Sequence, residues 1–162
     1  MELLITLIYV TIIGQVCFFV GVALPRGRFN EKKFPFKPFK WEKSGKLYRF
    51  FKVKKWKAKL PDMSKYTSII YPKKVYTKVT SHEVDRLVKE SCVAELIHYV
   101  LSIMGIGIYY IWKKSRTGLI LTIIYILGNA PFIIIQRYLR PKYIALKERL
   151  IIREERKEYA KI

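Results

Sequence analysis

Residues 92–141 read CVAELIHYVLSIMGIGIYYIWKKSRTGLILTIIYILGNAPFIIIQRYLRP, and this stretch decides the fold. Two apolar runs flank the basic turn KKSR at residues 113–116. Each run has roughly 20 residues, which is long enough to cross a hydrocarbon core of about 30 Å as a helix. We therefore predict an antiparallel hairpin of two transmembrane helices, over about 92–112 and 117–136.

The few polar residues of the hairpin lie near the same end of it. They supply a carboxylate, an imidazole, two amides and two guanidiniums: Glu95, His98, Asn129, Gln136, Arg137 and Arg140. The end of one helix in an antiparallel pair lies beside the start of the other. We therefore expect these groups on one side of a membrane, at about headgroup depth.

Composition supports a single membrane domain over residues 1–162. The chain is 51% hydrophobic and yet carries a formal charge of +20. Apolar blocks separated by basic blocks explain both values, and anionic lipid headgroups or phosphate-bearing substrates fit the charge better than nucleic acid. Both cysteines lie in apolar runs, so we interpret them as packing residues rather than a disulfide framework.

The distribution of basic residues predicts the orientation of the spans. Residues 3–24 form a further apolar run, interpreted as an uncleaved first span because it is too long for a signal peptide and lacks a basic start. Residues 26–90 hold 20 Lys and Arg against 6 Asp and Glu. The positive-inside rule then predicts a cytoplasmic loop over 25–91, an outside N-terminus and a cytoplasmic tail over 137–162 that forms a short helix. The fold class is thus an all-α integral membrane protein with three transmembrane helices.

Local patterns divide the loop. The segment FPFKPFKW at 34–41 cannot form a regular helix, because each Pro removes a donor and restricts the residue before it. Residues 46–60 are ambiguous. The alternation from Lys55 to Leu60 fits an extended piece, but we predict only a basic, aromatic surface segment. Thr80 and Glu83 match a capping box, which predicts a helix that runs from there into the second span.

Glu95 and His98 share a helix face, since they are three residues apart. A carboxylate beside an imidazole can orient it and raise its basicity, which would make His98 a general base. A metal site would need a second Glu-x-x-His copy and further carboxylates, which the chain lacks, so we expect no metal. A polar pair with a purely structural role stays open as the alternative.

Other polar groups suggest substrate binding. Asn129 and Gln136 point the same way on a helix and suit hydroxyl groups such as those of a sugar. Arg137 and Arg140 suit phosphate or carboxylate, although long side chains at a helix end also extend to the interface without binding a ligand. Among the loop residues, Lys55, Trp56 and Lys57 are candidates to bind substrate and to cover the mouth of the site, with the two lysines on phosphates of the acyl donor. Attraction to the membrane surface is the plainer interpretation of the lysines.

Three blocks of the sequence carry a resemblance to a known family. Residues 41–46 (WEKSGK) lead to 55–62 (KWKAKLPD), a second block is 90–99 (ESCVAELIHY), and a third is 129–142 (NAPFIIIQRYLRPK). The combination resembles the glycosyl-4,4'-diaponeurosporenoate acyltransferases, small bacterial membrane proteins linked to staphyloxanthin-type carotenoid synthesis. The sequence departs from the family pattern in four places: Val93 where many members are basic, Tyr99 for Trp, Leu139 for Asn and Lys142 for Arg.

The resemblance implies an enzyme of the bacterial cytoplasmic membrane that transfers a fatty acyl group to a sugar hydroxyl of a membrane glycolipid, such as a glycosylated carotenoid acid. We expect no cofactor, with an acyl thioester or acyl phosphate as the co-substrate. The expected partners are membrane lipids and this donor, without nucleic acid. A non-catalytic membrane protein that binds or assembles glycolipids is the alternative function.

Overall fold

The computed structural model describes residues 1–42, 46–60 and 79–160. All regular secondary structure in these ranges is helical. Within the described residues, three helical stretches are long and apolar enough to span a membrane, namely Glu2–Ala23, Ser81–Ile111 and Arg116–Tyr159. The expected three spans are therefore present by length and composition.

The helices follow the chain in a simple order. They are α1 (Glu2–Ala23), α2 (Lys46–Phe50), α3 (Val53–Trp56), α4 (Ser81–Met104), α5 (Gly107–Ile111) and α6 (Arg116–Tyr159), with short 3₁₀ turns at Arg26–Arg28 and Lys57–Lys59.

The start of α4 is the predicted capping box. The backbone N–H of Thr80 donates to the Glu83 carboxylate at 2.8 Å, and the Glu83 N–H donates to the Thr80 hydroxyl at 3.3 Å. From this cap α4 runs into the second apolar stretch, as expected. The predicted span over 92–112 is nevertheless interrupted, because α4 ends at Met104 and α5 begins at Gly107. Gly105 has no room for a side chain there, since a Cβ would lie 2.5 Å from the Tyr125 ring.

The basic turn between α5 and α6 uses left-handed backbone. Lys113 and Lys114 have φ values of 50° and 58°, and Ser115 then caps α6 by accepting the Gly118 N–H on its hydroxyl at 3.1 Å. The third span predicted at 117–136 and the helix predicted in the tail are parts of one helix. Helix α6 continues without a break from Arg116 to Tyr159, through Pro131 and Pro141.

The chain forms two compact units. The apolar unit comprises Met1–Leu24 and Val93–Ile134, and the basic unit comprises Pro25–Cys92 and Ile135–Ile162.

In the apolar unit, α1 lies antiparallel to α4 and α5. The Trp112 indole N–H donates to the Thr6 hydroxyl at 2.9 Å, the Tyr9 hydroxyl donates to the Met104 carbonyl at 2.7 Å, and a Cβ on Gly21 would lie 3.1 Å from Ile97. The residue numbers of these partners decrease as the residue numbers along α1 increase, which is the pattern of antiparallel packing. The outer faces remain apolar and exposed, for example Phe19, Ile103 and Leu127.

In the basic unit, the first half of α4 packs on the second half of α6. The buried core comprises Val84, Leu87, Val88 and Tyr143. At its edge the Lys147 ammonium lies 2.6 Å from the Asp85 carboxylate, and the Ser81 hydroxyl donates to Glu154 at 2.6 Å. These contacts hold the tail part of α6 against α4 within this unit.

The loop segments differ in how well the sequence predicted them. Residues 34–41 form turns without a regular helix, as the prolines require. The extended interpretation of Lys55 to Leu60 was wrong, because α3 and the following 3₁₀ turn cover most of it. Residues 43–45 and 61–78, which include parts of the first family block and of the predicted loop, lie outside the described residues, as do 161–162.

Two glycines of α1 provide a test of the packing in the apolar unit. We expect Gly21→Leu to lower stability by about 1–3 kcal/mol because its side chain would overpack against Ile97 and Val93. Gly14→Leu is the matched control, since nothing lies within 4 Å of a Cβ there. Thermal unfolding in detergent measures both, and equal effects of the two substitutions would contradict this packing of α1.

Candidate functional site

The imidazole of His98 is held by an amide. His98 on α4 and Asn129 on α6 both belong to the apolar unit, and the distance between His98 Nδ1 and Asn129 Oδ1 is 2.9 Å. The amide nitrogen of Asn129 donates to the Tyr125 carbonyl at 3.0 Å. The Phe132 ring stacks on the imidazole with the centroids 4.7 Å apart and the planes 10° apart. The expected apposition of these residues is therefore present, with the ring fixed by both a hydrogen bond and a stack.

Glu95 is fully buried one turn before His98. The Tyr99 hydroxyl, four residues further along α4, donates to its carboxylate at 3.0 Å. The sequence predicted Glu95 as the group that orients His98. The structure adds a second candidate for that role, because the amide oxygen of Asn129 is the partner of His98 Nδ1. The catalytic role of Glu95 stays a prediction, and Tyr99 is a neighbour that its i, i+4 spacing could have indicated.

Arg137, in the basic unit, makes a two-point ion pair with Glu42. Its Nε lies 2.6 Å from one carboxylate oxygen and its Nη2 lies 2.8 Å from the other. The same guanidinium donates to the carbonyls of Pro35 and Lys37, and its carbon lies 4.4 Å from the centre of the Phe39 ring. Glu42 also accepts the Tyr48 hydroxyl at 2.6 Å, so the pair is buried and well supplied with hydrogen bonds.

Arg140 is more deeply buried still, with 1% of its surface exposed. Its Nε donates to the Ser91 hydroxyl at 2.8 Å, its Nη1 to the Phe36 carbonyl at 2.8 Å, and its Nη2 to the Ser91 carbonyl at 3.1 Å. All these acceptors belong to the basic unit. The arginine therefore connects the irregular segment 29–42 and α4 to α6 within that unit.

The guanidiniums of both arginines already have protein acceptors, and a small cleft lies beside them. A cleft of about 10 Å³ is lined by Phe36, Pro38, Glu42, Arg137, Arg140 and Pro141. That volume holds about one water molecule. A phosphate would have to displace protein oxygens from the guanidiniums, so the observed contacts favour a structural role for both residues. Phosphate binding by Arg137 and Arg140 stays a prediction.

The remaining predicted substrate-binding residues lie in the basic unit. Gln136 is buried, Lys55 is exposed and Trp56 is half-buried. The Trp56 indole donates to the Phe51 carbonyl at 2.9 Å, and the Lys57 ammonium lies 5.4 Å from the centre of the Tyr138 ring. Their roles in binding, and the prediction that 55–57 cover a site, stay predictions.

Sequence reasoning missed several partners that the structure supplies. Glu42 and Ser91 both lie inside the family blocks and could have been considered as partners of buried arginines. Glu90, in the same block as Ser91, pairs with Arg26 at 2.9 Å. The carbonyl acceptors could not have been found, because a backbone oxygen has no signature in the sequence. The first residues of the second block, Glu90 and Ser91, thus make contacts within the basic unit.

The described chain is of a recognisable class: a small helical protein with three helices of membrane-spanning length and an imidazole–amide pair in its apolar unit. A family model described as glycosyl-4,4'-diaponeurosporenoate acyltransferase matches residues 31–149. A protein of that name from Staphylococcus aureus strain N315 is 35% identical over 139 residues, which are 85% of this chain and 82% of the relative. The protein of the same name from strain USA300 is 34% identical over the same lengths. No solved structure matches.

The chain therefore belongs to the glycosyl-4,4'-diaponeurosporenoate acyltransferase family. The resemblance identified from the three sequence blocks is confirmed. The family and its relatives are named as acyltransferases, so the class of enzyme is an acyltransferase.

Removal of the Glu42 charge tests the ion pair of the basic unit. Burial by itself raises the pKa of the Glu42 carboxyl, but hydrogen bonds from Arg137, Tyr48 and the Phe39 N–H together bring the pKa below its ordinary value of 4.5. The stabilisation is then complete above that value and is lost as the pH falls towards the pKa of the folded state. We expect Glu42→Gln to cost about 3 kcal/mol at neutral pH, because it leaves Arg137 buried without its anion.

Unfolding curves from neutral pH down to about pH 3 measure this effect. The wild type should lose more stability with acid than Glu42→Gln, and Glu31→Gln is the control that removes a charge from the same segment. A Glu42→Gln chain as stable as the wild type at neutral pH would show that the pair does not hold the unit together.

Proposed function

We propose that this chain is a membrane O-acyltransferase that moves a fatty acyl group onto a sugar hydroxyl of a membrane glycolipid, such as a glycosylated carotenoid acid. Membership of the family and the names of the S. aureus relatives support the reaction and the acceptor. The observation that carries the mechanism is the imidazole of His98, held by Asn129 at 2.9 Å among apolar helices.

The proposed location is the bacterial cytoplasmic membrane. The three long apolar helices, with exposed side chains such as Phe19 and Leu127, support insertion in a bilayer. The basic residues concentrated in 26–90 support a cytoplasmic position for the loop, with the N-terminus outside. Both substrates are then amphiphiles that reach the enzyme within or beside the lipid.

His98 is the proposed general base. It takes the proton from the sugar hydroxyl as the hydroxyl oxygen attacks the acyl carbonyl carbon. A new C–O ester bond forms, the bond from the acyl carbon to the thiol sulfur or phosphate oxygen of the donor breaks, and the proton passes from the imidazolium to the leaving group. The step needs an acyl thioester or an acyl phosphate and no other co-reactant.

The proposed substrate-binding roles depend on which side chains already have protein partners. Lys55 and Lys57 are the better candidates for donor phosphates, since Lys55 is exposed and Lys57 only half-buried, and Trp56 lies between them. Arg137 and Arg140 are already supplied with protein acceptors. Gln136 stays a proposed contact of the acceptor sugar. Both polar atoms of the Asn129 amide are engaged by His98 and Tyr125, which counts against a direct contact of Asn129 with the sugar.

Lipid mass spectrometry of cells that produce the carotenoid glycoside acceptor tests the function. Cells with the wild-type chain should contain a species heavier than the acceptor by one fatty acyl chain, and cells without it should not. His98→Gln should lower its formation about 10²- to 10⁴-fold, which is the usual contribution of a general base. The control is His82→Gln, which replaces the chain's other histidine, an exposed one.

Immunoblots of membrane fractions establish that each variant is inserted at the wild-type level. An unchanged lipid profile in cells with and without the chain would support the alternative, a non-catalytic glycolipid-binding or assembly protein. Near-normal product from an inserted His98→Gln variant would remove His98 from the mechanism.

A further inference from the structure

The contacts around His98 determine which of its two nitrogens carries the proton. A backbone carbonyl only accepts hydrogen bonds, so the group of Asn129 that faces the Tyr125 carbonyl must be the amide NH₂, at 3.0 Å. The amide oxygen then faces His98 Nδ1, at 2.9 Å. Because that oxygen also only accepts, the hydrogen bond requires a proton on Nδ1.

The neutral imidazole consequently has its lone pair on Nε2. This is the tautomer that a general base needs if Nε2 is to take a proton from a hydroxyl. The Phe132 ring, stacked on the imidazole with an angle of 10° between the planes, limits rotation of His98 about its last torsion. The hydrogen bond selects the tautomer, and the stack sets the direction in which Nε2 points.

Burial strengthens this arrangement. Only 8% of the Asn129 surface is exposed, and a buried amide that loses its partners costs about 1–3 kcal/mol. The chain Tyr125 carbonyl, Asn129 amide, His98 imidazole therefore has one low-energy orientation. The opposite orientation of the amide would place its oxygen against the Tyr125 carbonyl, and two acceptors cannot form a hydrogen bond with each other.

We infer that Asn129 is a positioning residue, which holds His98 in the Nδ1–H tautomer so that Nε2 accepts the proton of the acyl acceptor. The inference rests on the proposed function for its catalytic meaning, since it assigns the hydrogen bond that orients Nδ1 to the neutral amide of Asn129. The tautomer itself does not depend on the reaction. It can therefore be measured separately.

Nitrogen NMR of the full chain in detergent measures the tautomer directly. The chain has two histidines, so a His82→Gln background leaves His98 as the sole source of imidazole signals after labelling with ¹⁵N-histidine. Above the titration of the ring we expect a protonated, pyrrole-type shift for Nδ1 and an unprotonated, pyridine-type shift for Nε2. The reverse assignment in the wild-type site would overturn the inference whatever the activity.

Substitutions at Asn129 connect the tautomer to turnover. Asn129→Leu removes the acceptor, and we expect a mixed or Nε2–H tautomer together with a fall in kcat of about 10²-fold, the usual cost of a misplaced catalytic group. KM should hardly change, since the amide oxygen acts on the base rather than on binding. Asn129→Asp keeps an acceptor at the same place and should restore the Nδ1–H tautomer and much of kcat.

Gln15→Leu is the matched control, because it removes an exposed amide from α1 and should leave both readouts at the wild-type level. An Asn129→Leu chain that retains the Nδ1–H tautomer would contradict the positioning role. The proposed function fails in a different way, if His98→Gln turns over normally while the wild-type NMR shows Nδ1–H. If Asn129→Leu does not fold, the wild-type spectrum still decides the tautomer.

Discussion

Two buried guanidiniums impose the strongest constraint on the basic unit. Removing a charged group from water costs several kcal/mol unless it is paired and hydrogen-bonded. Arg137 and Arg140 project from α6, and their acceptors are the Glu42 carboxylate, the Ser91 hydroxyl and carbonyl, and carbonyls of the segment 35–37. Proline prevents that segment from using its own carbonyls in a helix, and those carbonyls are available for the arginines. The irregular stretch is thus held in place by the hydrogen bonds that it accepts.

The coarse fold was predictable because run length and charge are global properties of the sequence. The hairpin followed from two apolar runs and a short turn, and the capping box gave the start of α4. Local detail was less predictable. The helix break lies at Gly105, where the Tyr125 ring leaves no room for a side chain. Helix α6 passes through Pro131, although an interior proline normally removes a helical hydrogen bond. Alternation over 55–60 was too short to distinguish an extended segment from helical turns.

The proximity of His98 and Asn129 was predictable, because it follows from the antiparallel register of the two apolar runs. Two apolar runs of similar length joined by a short turn are sufficient to bring His98 near Asn129. Which group bonds to His98 Nδ1 was not predictable, because the spacing of Glu95 on α4 makes it an equally good candidate. The structure shows that the Glu95 carboxylate accepts a hydrogen bond from the Tyr99 hydroxyl. Roles for the arginines were inferred from their charge alone, and the structure shows how fully a folded chain can occupy a guanidinium with its own oxygens.

The central claim is that this chain by itself carries out acyl transfer. Purified full-length protein in liposomes, supplied with a glycosylated carotenoid acid and an isotopically labelled fatty acyl thioester or, in parallel, acyl phosphate, tests it most directly. We predict a labelled ester one acyl chain heavier than the acceptor, formed at a rate that scales with protein and collapses in the His98→Gln chain. The contradicting result is that no ester forms with either donor, although cells that contain the same chain make the product. That result would show that another protein performs the chemistry.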